Sequence, residues 1–226
     1  LGAECTADIL DCLAGAHIRL SEGQGAELLW RDARDRRLSP LDALKIYALK
    51  TAPAFEAALL TGIRLAGSAE PYLEPIRQFA RNLGVAFQIL SDLNDWQGDS
   101  HNKLEAAGDI LGGRPTVLWA LTLASLNESE QAELLQLASR ECELPAAERV
   151  RRVERFYRQA KAFDQANRLI DKHQQRALEV IKDIAPEALQ RLLVYLVDTV
   201  LERSEEAPAA VLPLAQITPL AIPSRR

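Results

Sequence analysis

Gln88, Ser91, Asp92, Asp95 and Asp99 share one stripe if the stretch GVAFQILSDLNDWQGDSHNKLEAAGDILGGRPT, residues 84–116, is helical. Apolar Phe87, Ile89, Leu90 and Leu93 surround that stripe. Carboxylates crowded onto an otherwise apolar helix repel one another unless a cation lies between them. At about 1.5 Å of rise per residue, Asp92 and Asp95 are about 4.5 Å apart along the axis, close enough to share one ion. Asp99 lies about 10.5 Å from Asp92 and must reach a second ion or a lysine. A few hard oxygen ligands with open positions suit Mg²⁺ that is also held by phosphate oxygens. Lys103, Asp109, the Gly112-Gly113 pair and Arg114 follow directly, setting cations and a flexible turn beside the acids.

A second polar insertion lies upstream, in LDALKIYALKTAPAFEAALLTGIRLAG. Lys50 and Thr51 interrupt a run that is otherwise almost wholly apolar, and a lysine there needs an anionic partner. Pro53 cannot donate a backbone hydrogen bond, so the helix is expected to kink and free carbonyls near Ala48 and Leu49. A kinked helix carrying a buried cation opposite an acidic helix describes a pocket for a diphosphate and Mg²⁺.

With these motifs in hand, the sequence resembles the trans-isoprenyl diphosphate synthases, the polyprenyl synthetases. Their second aspartate-rich motif, FQxxDDxxDxxGD followed by a Lys and DxxxGKxT, is matched by Phe87-Gln88, Ser91-Asp92, Asp95, Gly98-Asp99, Lys103 and Asp109 through Thr116. The family's Lys-Thr motif is matched by Lys50-Thr51, and its GQxxD motif by Gly23-Gln24 with Glu27 in place of Asp. Four motifs in order span residues 15–120.

The resemblance implies an all-α, isoprenoid-synthase-type helical bundle around a central apolar cavity, usually a homodimer. It implies condensation of isopentenyl diphosphate with an allylic diphosphate through a Mg-assisted allylic carbocation. Carried over position by position, Lys50, Lys103 and Arg114 bind the allylic diphosphate, and Asp92 and Asp95 hold Mg²⁺. Thr51 and Gln88 face the cation and orient proton loss, and Phe87 walls the homoallylic site. Ser91 stands where the family has its first Asp, a weaker and neutral ligand. Arg114 stands for Lys, exchanging a point charge for a planar fork. The first aspartate-rich motif does not occur in these 226 residues. Two other readings stay open: a non-catalytic or regulatory subunit with this fold, and a class I terpene cyclase. The cyclase motif expects Ser and Glu where this chain has Gly98 and Asn102.

Composition sets the outer bounds. A length of 226 residues is enough for one domain with a sizeable core. A formal charge of −5 with interspersed signs argues against nucleic acid. The basic run 149–155 alternates with Glu148 and Glu154 and reads as a salt-bridged helix face. Cys5, Cys12 and Cys142 share no metal-ligand spacing and point to reduced thiols in the cytoplasm. No apolar run is long enough to span a bilayer. The chain starts at Leu1 and contains no Met, which suggests that an N-terminal half is missing or that residues were lost in processing.

Helices must position these residues. A first helix is expected over 1–22, with Leu10, Leu13, Ala14, Ile18 and Leu20 on its apolar side. Gly23 and Gly25 beyond it read equally as a helix break or, as the resemblance implies, as part of a polar patch with Gln24 and Glu27 near the substrate cavity. His17 on this surface reads as packed or hydrogen-bonded. Ser39 caps a helix that Pro40 opens and Gly67 ends. The span 70–83 runs into, or feeds, the acidic helix. Further helices are expected over 116–126, buried all round, over 129–142, over 146–184 with a break near Lys161, and from Pro186 to Arg203. The domain therefore covers 1–203, followed by a proline-rich tail, 204–226.

Overall fold

The computed structural model describes residues 2–97, 107–139 and 142–202. Asp99, Lys103 and the tail 204–226 lie outside the described residues. The described chain is helical, without a strand: α1 Ala3–Asp32, α2 Pro40–Lys50, α3 Ala52–Ala66, α4 Leu73–Gln97, α5 Gly108–Gly112, α6 Val117–Ser125, α7 Glu128–Ala138, α8 Ala146–Gln159, α9 Ala162–Ile181 and α10 Glu187–Val200. A single 3₁₀ turn, Glu70–Tyr72, leads into α4.

The centre of the fold is α6. Its residues Val117 to Leu123 are all buried, as an all-round apolar helix must be. Thr116 caps it by accepting from the Trp119 N–H at 3.2 Å. Around it, α4 and α9 make the most extensive helix pairing. Ala162, Ala166, Ile170, Ala177 and Ile181 give α9 a buried stripe at helical spacing, and its small residues let Ile76, Phe79 and Leu83 of α4 come close. Each such fully buried large side chain contributes about 1.5–3 kcal/mol relative to exposure.

Three expectations change. First, α1 does not break at Gly23; it runs for 30 residues, and Gly23 serves close packing instead. A Cβ there would lie 2.6 Å from the Lys50 nitrogen and 2.7 Å from the Leu49 carbonyl carbon. Second, the buried side of α1 carries Ala16, Gly23 and Glu27, while Leu10 at 61% and Ile18 at 62% exposure point outward with Leu13, Leu29 and His17. Small residues won the inner face because α1 lies so close to α2 and α3. Third, the helix interruption falls at Thr51, between α2 and α3, and Pro53 sits in the first turn of α3 where its missing donor costs nothing. Shorter ends account for the remaining shifts: α7 stops at Ala138 and α10 at Val200. No helix among the described residues is long and apolar enough to cross a membrane.

Candidate functional site

The break at Thr51 places Lys50 and Thr51 where α1, α2, α3 and α4 meet. Two close approaches hold this junction together. One is Gly23 of α1 against Lys50; the other is Gly84 of α4, whose added Cβ would lie 2.8 Å from the Ala52 Cα. Across it the Lys50 ammonium pairs with Glu27, a carboxylate only 6% exposed on α1. On the other side the Thr51 hydroxyl donates to the Gln88 amide oxygen at 3.0 Å. Together these contacts form one polar crossbar from α1 to α4. The Lys50 side chain keeps 28% of its surface exposed.

Asp92 and Asp95 part company. One helix residue turns the direction by about 100°, so Ser91 is exposed while its neighbour Asp92 faces inward at 3% exposure. Asp92 accepts a hydrogen bond from the Tyr47 hydroxyl and another from the Val117 N–H at 3.2 Å. The Tyr47 hydroxyl in turn accepts from the same Val117 N–H at 2.7 Å. Burial pushes the Asp92 carboxyl up to about 8, against the lowering effect of the Tyr47 hydrogen bond. Tyr47 is raised well above its ordinary value, first by burial and then by the Asp92 charge. Asp95 is half-buried and accepts from the Asp109 N–H at 3.0 Å, anchoring the start of α5.

Asp109 is raised by burial and by the Asp95 charge beside it, and pairs with Arg114 at 3.0 Å. The Gly112-Gly113 turn is more ordered than its composition suggests. Gly113 ends α5 with φ 65°, a left-handed value that favours glycine, and the guanidinium of buried Arg36 lies directly beneath it. Phe87 is 39% exposed and meets Phe55 edge-on at 6.1 Å between ring centres.

The structure therefore brings together Lys50, Thr51 and Gln88, with Phe87 one residue away. It sets Asp95, Asp109 and Arg114 in a second group at the α4–α5 end. Among the described residues no three His, Cys, Asp or Glu side chains converge on one point. Asp95 suits a magnesium ion held mainly by phosphate oxygens; Asp92, expected beside it as a ligand, is turned inward onto Tyr47. Glu27, Tyr47 and Asp109 are the side chains that complete this region. Tyr47 carried a readable signal, since a phenol in a buried helix needs a hydrogen-bond partner.

The model of the polyprenyl synthetase family matches residues 2–155. The chain belongs to the polyprenyl synthetase family. A Rhodobacter capsulatus protein named all-trans-nonaprenyl-diphosphate synthase (geranyl-diphosphate specific) is 29% identical over 161 residues, 71% of this chain and 48% of the relative. Octaprenyl diphosphate synthase of Haemophilus influenzae is 28% identical over 181 residues, 80% of this chain and 53% of the relative. The chain thus spans about half the length of the curated relatives it matches. Among solved structures, the geranylgeranyl pyrophosphate synthetase of Pyrococcus horikoshii superposes with a TM-score of 0.77 at 21% identity, over 90% of this chain and 61% of that one. The polyprenyl synthase of Caulobacter crescentus, solved with calcium and isoprenyl diphosphate, gives 0.74 at 27% identity over 87% and 59%. The all-α polyprenyl synthetase fold is thereby established.

Proposed function

We propose that this polyprenyl synthetase chain carries the diphosphate-binding half of a prenyl diphosphate synthase, a transferase that condenses isopentenyl diphosphate with an allylic diphosphate. The crossbar at the α1–α2–α3–α4 junction is the observation that supports this. Lys50 is a half-screened ammonium held ready by Glu27, and a diphosphate arriving at its exposed side gains a charge-assisted hydrogen bond without any backbone movement.

The residues divide the work. Lys50 grips the allylic diphosphate, with Lys103 and with Arg114, which is released from Asp109 onto the same ligand. The Thr51 and Gln88 oxygens are neutral acceptors that tolerate a passing allylic cation and steer the proton that is lost. Phe87, backed by Phe55, walls the neighbouring substrate and excludes water. A bound Mg²⁺, for which Asp95 is the fitting carboxylate, would stabilise the departing diphosphate charge. Asp92 supports the site from beneath, fixing α4 to α2 through Tyr47. The outward apolar stripe of α1 (Leu10, Leu13, Ile18, Leu29) suits a second copy of the chain, and three unpaired cysteines suit a reducing compartment such as the cytoplasm.

Incubation with Mg²⁺, isopentenyl diphosphate and allylic diphosphates of increasing length should give elongated products. Lys50→Ala should reduce turnover by about a hundredfold or more. A second reading, a non-catalytic subunit, is favoured by Ser91 at an exposed position where the family carries Asp. It is the reading to adopt if every allylic diphosphate binds and none is elongated.

A further inference from the structure

Arg36, between α1 and α2, belongs to none of the motifs that built the site, yet it is only 9% exposed. A guanidinium costs free energy to bury unless its donors are satisfied. Four contacts fix this one. Its Nη2 donates to the Arg31 carbonyl near the end of α1, at 3.1 Å. Its charge stands over the Trp30 ring, 5.9 Å from the centre. The indole N–H of Trp119, deep in α6, donates to the Arg36 carbonyl at 3.0 Å. The fourth contact is Gly113, where an added Cβ would lie 2.7 Å from Nη1 and 3.5 Å from Nη2. The backbone of Arg36 is thus tied to the core, and its side chain is held between α1 and the turn that ends α5.

Such a hold matters to α5. Gly108–Gly112 is five residues, about 7.5 Å of helix, too short to persist on its own hydrogen bonds. Its place is set from its two ends. At the start, the Asp95 carboxylate of α4 accepts from the Asp109 N–H at 3.0 Å, and the Asp95 carbonyl accepts from the Ala107 N–H at 2.9 Å. At the other end Gly113 turns the chain, with φ 65°, against Arg36. The next residue is Arg114. Its N–H donates to the Asp109 carbonyl at 2.9 Å and its guanidinium pairs with the Asp109 carboxylate. The backbone of Arg114 therefore follows the Gly113 turn, while its side chain keeps 59% of its surface exposed.

We propose that Arg36 is a positioning residue for diphosphate binding, acting through the Gly113 turn to fix where Arg114 presents its guanidinium. This role rests on the prenyl diphosphate reading given above and adds to it a side chain that does not touch the ligand. An arginine on a pinned turn loses less freedom on closing over a phosphate than one on a loose turn. Without the Arg36 side chain the core stays, because Trp119 bonds to a carbonyl that any residue supplies, but α5 keeps only its Asp95 anchor. The planar fork matters as much as the charge. It meets Arg31 and Gly113 with two different nitrogens, which a single ammonium does not.

The test is a double-mutant square read by calorimetry. An allylic diphosphate of three isoprene units is titrated, with Mg²⁺, into the unaltered protein, Arg36→Met, Arg114→Gln and Arg36→Met/Arg114→Gln. Arg114→Gln keeps a hydrogen-bond donor for Asp109 and should weaken binding about tenfold, the loss of one charge-assisted hydrogen bond. Arg36→Met should weaken it about three- to tenfold, the cost of ordering one long side chain. The double variant should bind within about twofold of Arg114→Gln alone, because Arg36 acts only through Arg114. An Arg36 that merely supports the fold would lower affinity by the same factor in both backgrounds. That result overturns the inference, as does unchanged affinity in Arg36→Met. Should Arg36→Met not fold by circular dichroism, Arg36→Lys takes its place in the square with the same expectation, since it keeps the charge and loses the fork. Unchanged affinity in Arg114→Gln takes Arg114 out of the seat and overturns the inference while Lys50 stands. No binding by the unaltered protein sinks the prenyl diphosphate reading itself, and the part of Arg36 with it.

Discussion

Charges in the α1–α4 region and charges in the α8–α10 region do different things. In the first, beside exposed local pairs such as Lys45 with Asp42 and Arg77 with Glu74, ionic contacts join distant parts of the chain: Lys50 to Glu27, Arg19 and Arg77 to Glu56, Arg64 to Asp8. In the second, the pairs sit within one helix, three or four residues apart: Arg151 and Arg152 with Glu148, Arg158 with Glu154, Lys182 with Glu179, Arg191 with Glu187. The glutamates of the first region's long-range contacts are buried and hold helices together; the second region's pairs are solvated and serve the helix they stand on. Partly buried charges tied across helices mark the region where chemistry is to be sought, and local pairs mark scaffold.

The largest effect that would break this contrast comes from the close approaches. Gly84→Val places a side chain 2.8 Å from the α3 backbone and Gly23→Val one 2.6 Å from that of Lys50. Each should destabilise the fold by about 3 kcal/mol or more, read by urea unfolding. An equally small residue in the second region, Ala188→Val on the exposed side of α10, should change little.

Next comes pH. The Asp92 carboxyl is raised in the folded chain to about 8, from an unfolded value near 3.8. The folded state therefore binds the extra proton, and the stability this contributes is fully present below about pH 4 and lost as pH rises to about 8. The loss has an upper bound of about 6 kcal/mol, and Asp92→Asn should remove that slope in unfolding titrations. His173 gives the opposite sign in the scaffold. It faces Asn82 of α4 at 2.9 Å, and burial lowers it to about 4, with Arg176, Lys172 and Arg81 adding to the shift. Its contribution is present above about pH 6.5 and lost as pH falls toward 4. His173→Gln should flatten that acid limb. The smallest effect expected is that of Arg158→Ala, about 0.5 kcal/mol or less, because its pair with Glu154 is exposed.

The helical order, the Ser39 cap, the buried α6 and the salt-bridged face of α8 were all legible in the sequence, because each depends on local pattern. Lys50 was legible as a buried cation needing an anion. The same reasoning applies to Glu56, a lone acid in the apolar run of α3, whose partners lie on two other helices. The inward turn of Asp92 was not legible. Residues 88, 91, 92 and 95 share a stripe about 100° wide, and only the packing of α4 against α2 decides which edge is core. The outward side of α1 was misread for a related reason: a helix with apolar residues on two faces does not say which one its neighbours will choose.

The account stands or falls on the Lys50 crossbar as the diphosphate seat. Calorimetric titration of an allylic diphosphate into the unaltered protein, Lys50→Met and Arg158→Ala tests it directly. Losing one charge-assisted hydrogen bond should weaken binding about ten- to a hundredfold in Lys50→Met, with Arg158→Ala unchanged. Equal affinity in all three proteins would contradict the assignment.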